Sequence, residues 1–175
     1  MQTRQLLLAL TIVAAAATPA VAQGTTARLG ALPITGAPSA PDPARVSAQL
    51  ATADSLAFAG RNGEARGRYR QLIDEQRAGG QYPREALWHL ANSYLEVNES
   101  DRVASIMDEL ATAAARFGDP TTELNATFEA GVLYQRMRLP TKAADRLARV
   151  KELLQSPAIS DEAKRQVEGR MAPRS

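Results

Sequence analysis

Cysteine is absent from the 175 residues of this chain. No disulfide can form within it, so whatever it folds into is held together by packing alone. Histidine occurs once, at His89, and aromatic residues make up only 5% of the chain, with one tryptophan. Few aromatics beside abundant alanine suit close-packed helices better than a sheet. Charge of one sign is also scarce: the formal net charge is +2 at pH 7. Sequence-independent phosphate binding needs many uncompensated Lys or Arg on one face, so no nucleic-acid partner is expected. The length, with 45% apolar and 23% charged residues, fits one globular domain and is too short for two large ones.

Long apolar runs are lacking too, apart from one at the start. Arg4 and the free amino group give a positive beginning, Leu6 to Ala17 an apolar core, Pro19 a break, and Ala20-Val21-Ala22 small residues for cleavage. Residues 1–22 read as a signal peptide, with maturation before Gln23. An uncleaved anchor over Leu6 to Ala22 would be at the short limit of a bilayer span, roughly 17 to 25 residues. Pro19 and the alanine richness argue against it, and no cysteine follows to carry a lipid. The expectation is an exported chain, periplasmic or secreted, with no stable membrane insertion after cleavage. Gly24, Gly30, Pro33, Gly36, Pro38 and Pro41 then mark residues 23–41 as a flexible linker, leaving 42–172 as the folded domain.

What the chain does have is a spacing that recurs. Leu56, Ala65, Tyr69 and Leu72 are separated by nine, four and three residues, as are Tyr94, Val103, Met107 and Leu110, and Tyr134, Ala143, Leu147 and Val150. A small residue stands three positions before each set, at Ala53, Ala91 and Gly131. Recurrence at periods of 38 and 40 residues points to stacked helical hairpins, each burying its apolar stripe against its neighbours. Local chemistry places seven helices, at 43–59, 64–78, 83–97, 101–117, 120–137, 141–155 and 160–171. Asp42-Pro43 and Asp119-Pro120 supply a cap followed by proline, Gly60 to Gly63, Gly79-Gly80 and Gly118 end helices, and Ser100 is read as the cap of the fourth. Stripes such as Val103, Ile106, Met107, Leu110 and Ala114 leave Asp101, Asp108 and Glu109 to the opposite face.

The middle unit, with Leu87, Leu90, Ala91, Tyr94, Val103 and Met107, resembles a tetratricopeptide repeat. Ala53, Leu56, Gly60, Ala65 and Tyr69, and Gly131, Tyr134, Ala143 and Leu147, carry the resemblance into the flanking units. Gln49, Thr52 and Thr127 stand where that family prefers large apolar residues, and the period exceeds its usual length. The resemblance implies an all-α fold: a short right-handed superhelix of three antiparallel hairpins, closed by a polar helix at 160–171. It also implies a groove lined by the first helix of each hairpin, where a protein or peptide partner would lie. Leu50, Trp88 and Phe128 share one repeat position facing that groove, with Asp54, Asn92 and Val132 one turn further on. Trp88 would serve as an anchor and Asn92 as a hydrogen-bonding partner for an extended backbone. Packing of Trp88 and Phe128 between hairpins is the competing reading.

Catalytic constellations are thin. Glu85 and Ser93 lie four residues either side of His89 on one helical face, yet three groups in a row on one helix suggest no oxyanion donor. Glu85, His89 and Glu96 lack the further ligands that a metal needs. No catalytic residue, metal or cofactor is expected. Asn98-Glu99-Ser100 and Asn125-Ala126-Thr127 match the glycosylation acceptor pattern, which is common by chance. Arg66, Arg68, Arg70 and Arg77 make the second helix basic, partly balanced by Glu64, Asp74 and Glu75. Such a stripe is a solvated face or a meeting place for an acidic partner or anionic surface. The expected function is a scaffold that binds a partner segment. The alternatives are a small-ligand binder or hydrolase around His89 and a structural homo-oligomer.

Overall fold

Alternating apolar stripes and turn residues produce seven helices: α1 (Pro43–Phe58), α2 (Asn62–Ala78), α3 (Arg84–Leu95), α4 (Ser100–Phe117), α5 (Pro120–Arg136), α6 (Pro140–Leu154) and α7 (Asp161–Met171). They come from a computed structural model that describes residues 42–171, and no strand occurs among those residues. The all-α expectation therefore holds. The signal peptide at 1–22, the linker at 23–41 and residue 172 of the expected domain lie outside the described residues.

Helix starts follow local chemistry. The Asp42 carboxylate accepts from the Ala44 amide at 3.1 Å and that of Asp119 from the Thr122 amide at 3.0 Å, each followed by proline in the first turn. Those bonds satisfy amides that the helix itself cannot. Ser100 is not the cap expected of it. It lies inside α4, and Glu99 precedes it without a side-chain capping bond.

Helix ends explain that shift. Gly60, Asn98 and Arg138 take left-handed backbone angles, with φ of 76°, 59° and 57°. Immediately after them the amides of Arg61, Glu99 and Leu139 donate to the carbonyls of Leu56, Tyr94 and Tyr134 at 2.9, 3.1 and 2.9 Å. This closure spans five residues and is the left-handed stop that satisfies otherwise orphaned carbonyls. It turns the chain within a single residue, so α4 begins at Ser100 and α2 two residues earlier than its glycines indicated. Gly80 and Gly118 repeat the device at the ends of α2 and α4, both with φ of 69°. There the amides of Gln81 and Asp119 reach the carbonyls of Gln76 and Ala114.

Connections of two to five residues fold α1 to α6 into successive antiparallel neighbours. Side-chain bonds fit that arrangement, since Arg45 at the start of α1 meets Glu75 near the end of α2. Beyond its chain neighbours, α1 also touches α3, and α5 touches α7. Two apolar clusters result. The larger runs from Ala53 through Leu87, Leu110 and Tyr134 to Ala143, and the smaller joins Leu124, Phe128, Val150, Leu153, Ile159, Ala163 and Val167. Helix α5 contributes to both, which is why nine of its residues are buried.

The spaced residues occupy this interior. Ala53, Ala65, Tyr69, Ala91, Tyr94, Val103, Met107, Gly131, Tyr134 and Ala143 are buried, while Leu56 and Leu147 are partly buried against the clusters. A Cβ on Gly131 would lie 3.3 Å from both the Arg146 Cβ and the Leu147 Cδ2, so glycine here sets the approach of α5 to α6.

Candidate functional site

Two surfaces gather polar groups over this packing. The first lies on α1 and α3. Asp54 on α1 accepts the Tyr69 hydroxyl at 2.6 Å and meets the His89 Nδ1 at 2.7 Å, so one carboxylate ties α1 to α2 and α3. Burial and that carboxylate raise the Tyr69 phenol well above its ordinary value. One residue before the histidine, Trp88 is half-buried against the larger cluster, and one helical turn after it Asn92 is exposed. Leu50 is likewise half-buried against that cluster. Among the described residues, neither the Trp88 indole N–H nor the Asn92 amide has a hydrogen-bond partner.

The remaining groove candidates lie differently. Phe128 is only 2% exposed and belongs to the smaller cluster, with the Arg170 guanidinium 4.6 Å above its ring. Arg170 is held there by Glu129 at 2.6 Å, which brings α7 over α5. Phe128 thus packs in the core and offers no surface to a partner, and Val132 is half-buried against the same cluster. The closing helix was anticipated. That it would cover the third aromatic position was not, because Ala163 and Val167 of α7 meet Phe128 in a cluster assembled from residues distant in sequence.

Glu85, His89 and Ser93 are not wired together. Arg84 meets Glu85 at 3.2 Å, His89 is on Asp54, and the Ser93 hydroxyl donates to the Leu90 carbonyl at 2.7 Å. Among the described residues, no group of three acidic, histidine or cysteine side chains is arranged to hold a metal. No helix among them is long and apolar enough to cross a membrane.

The second surface is a furrow between α2 and α4 that sequence reading missed. It contains two depressions, of about 320 and 280 Å³. Arg77 and Glu109 line both and form an ion pair that bridges the furrow. Arg70, Arg102 and Tyr94 line one depression, and Arg116 and Phe117 the other. Arg70 donates to the Tyr94 hydroxyl. Half of the basic stripe noticed in α2 points here. Arg66 turns inward instead, donating to the Ser93 carbonyl at 2.8 Å with its guanidinium 4.3 Å above the Tyr94 ring. The heptad spacing of Arg70 and Arg77, and of Arg102, Glu109 and Arg116, is the signal that could have found the furrow. It becomes meaningful only once α2 and α4 are known to face each other.

Compared with protein-family models, curated proteins and solved structures, the chain matches none.

Proposed function

We propose that this protein is an exported scaffold that binds a segment of a partner protein on the face formed by α1 and α3. The fold is read as a short tetratricopeptide-like right-handed superhelix. Recurrence of one helix stop at Gly60, Asn98 and Arg138 supports that reading, since the same turn at intervals of 38 and 40 residues repeats one hairpin geometry. Export is supported by the signal-like pattern of residues 1–22.

The observation that carries the binding reading is the pair of unengaged donors beside a half-buried aromatic. Trp88 presents apolar area with an open indole N–H, and Asn92 offers a free amide one turn away. Neither donor is sealed from water, so a ligand at the rim of this apolar surface can take the place of the water on each. Asp54 and His89 brace that face by joining α1 to α3. An extended peptide backbone offers the carbonyls and amides that such a surface lacks.

The test is affinity capture from an envelope fraction using the full chain and its Trp88→Ala and Asn92→Ala variants. Specific capture should fall about tenfold with Trp88→Ala, equivalent to about 1.4 kcal/mol, while the far-ultraviolet circular dichroism stays unchanged. Capture that ignores both substitutions refutes the proposal, and lost helicity in Trp88→Ala assigns that residue to the core.

A further inference from the structure

We infer that the furrow between α2 and α4 is a second binding site, taking an extended acidic segment of a partner protein. This deepens the scaffold reading and rests on it. The furrow's charges are the starting point. Arg102 and Arg116 have no carboxylate within ion-pair distance among the described residues, and the only polar partner of Arg70 there is the neutral Tyr94 hydroxyl. Elsewhere on the molecule, Arg146 is neutralised by Asp108, Arg149 by Glu123 and Arg170 by Glu129. Arg68, Arg136 and Arg138 also lack an ion pair among the described residues, but the furrow gathers three such guanidinium groups around one recess, in a chain whose net charge is only +2.

Spacing then defines the occupant. Arg102 and Arg116 are two heptads apart on α4, which corresponds to roughly 21 Å at 1.5 Å per residue. A segment extended as polyproline II advances about 3.1 Å per residue with three residues per turn, so its first, fourth and seventh positions share one face and span roughly 19 Å. The Arg77–Glu109 bridge crosses between the two guanidinium groups and divides the furrow into its two depressions. Carboxylates at the first and seventh positions of such a segment would meet Arg102 and Arg116. One at the fourth would compete with Glu109 for Arg77. Side chains between them would enter the depressions, where Ile73, Ile106 and Phe117 provide apolar contact.

Asp74 and Glu109 also line the furrow. Their charges disfavour nucleic acid, whose phosphates recur at every nucleotide and would meet these carboxylates wherever a strand tracked the furrow. A membrane surface would need a flat or protruding contact, and these groups line a recess between two helices.

An array of heptapeptides with aspartate at positions one, four and seven, and varied residues between, tests this against a matched asparagine array. The full chain should bind the aspartate array at least tenfold better, with binding that weakens as salt rises. Arg102→Glu with Arg116→Glu should abolish that preference without changing helicity, because neither side chain has an internal carboxylate partner. Trp88→Ala should leave it intact. Equal binding to both arrays, or an unchanged preference in the double variant, overturns the inference. Stronger retention by anionic vesicles or by a single-stranded oligonucleotide, lost in the same double variant, reassigns the furrow and overturns it too. Those outcomes are separable from failure of the scaffold reading, which shows as Trp88-independent capture.

Discussion

At the scale of single residues, the left-handed turns carry a measurable cost. Gly60 adopts its positive φ freely, whereas Asn98 and Arg138 do so with a Cβ that crowds the backbone. Asparagine tolerates this region better than arginine. Arg138→Gly should therefore stabilise the fold by about 0.5–1 kcal/mol, read from the midpoint of urea unfolding. Tyrosine hydroxyls give a second handle. Tyr134 donates to Asp108 at 2.7 Å, and the same carboxylate receives Arg146 at 2.6 and 2.9 Å. Burial first, then the Asp108 bond and charge, push the Tyr134 phenol up to about 12, with Arg146 opposing. Burial and the Asp119 charge also raise Tyr82 to about 12. Raised phenols keep their protons in the folded state after the unfolded chain has lost them, at about pH 10. This stabilising contribution is complete below that pH and disappears as pH climbs through about 12. Urea melts at stepped pH should show stability falling above about pH 10, and Tyr134→Phe should flatten the fall. A slope identical in the variant would mean that Tyr134 titrates normally.

At the scale of elements, α5 packs tightly on α6. Glycine at position 131 permits it, and the nearest obstacle is the Arg146 Cβ, which moves only with the backbone of α6. Gly131→Leu should overpack this contact and destabilise the protein by about 1–3 kcal/mol. Gly67, in α2 with open space around it, is the control. There Gly67→Ala should stabilise by up to about 1 kcal/mol through helix propensity alone. Thermal melts of both variants check the pair, and a neutral Gly131→Leu would mean that α5 and α6 do not approach as described. The same contact explains why α5 is so heavily buried: α4 and α6 flank it and α7 covers part of what is left.

Across the described domain, burial is distributed unevenly. Helix α1 contributes one fully buried residue, Ala53, and α7 contributes Ala163 and Val167, whereas α3, α4 and α5 contribute six, seven and nine. Repeat-like stacks open from where neighbour contacts are fewest. Hydrogen exchange should therefore be slowest in α3 to α5 and fastest in α1 and α7, with α2 and α6 between. Uniform protection would instead mean one indivisible cooperative unit. Gln49 and Thr52 make the weakness of α1 legible in advance, since they hold positions where a large apolar side chain would have anchored the helix. Gln49 instead donates to Glu75 at 3.3 Å, while Thr52 donates back to the carbonyl of Ala48.

The sequence by itself determined the helices, the caps at Asp42 and Asp119, and most of the residues that make the core. Those outcomes depend on local hydrogen bonding and on a 3.6-residue period, both readable along one segment of chain. Asp42, Asp119, Gly80 and Gly118 behave as their chemistry requires wherever they stand. Only the tertiary structure decided which polar residues meet: Asp54 with His89, Arg170 over Phe128, Arg77 across to Glu109. Each pair spans more than thirty residues and forms only because helices distant in sequence are packed side by side. Periodicity tells a residue which face of its helix it occupies but carries no information about what the facing helix presents. For that reason Phe128, equivalent in sequence to Trp88, lies beneath α7 while Trp88 remains half-exposed, and the basic stripe of α2 became a furrow only when α4 was placed beside it.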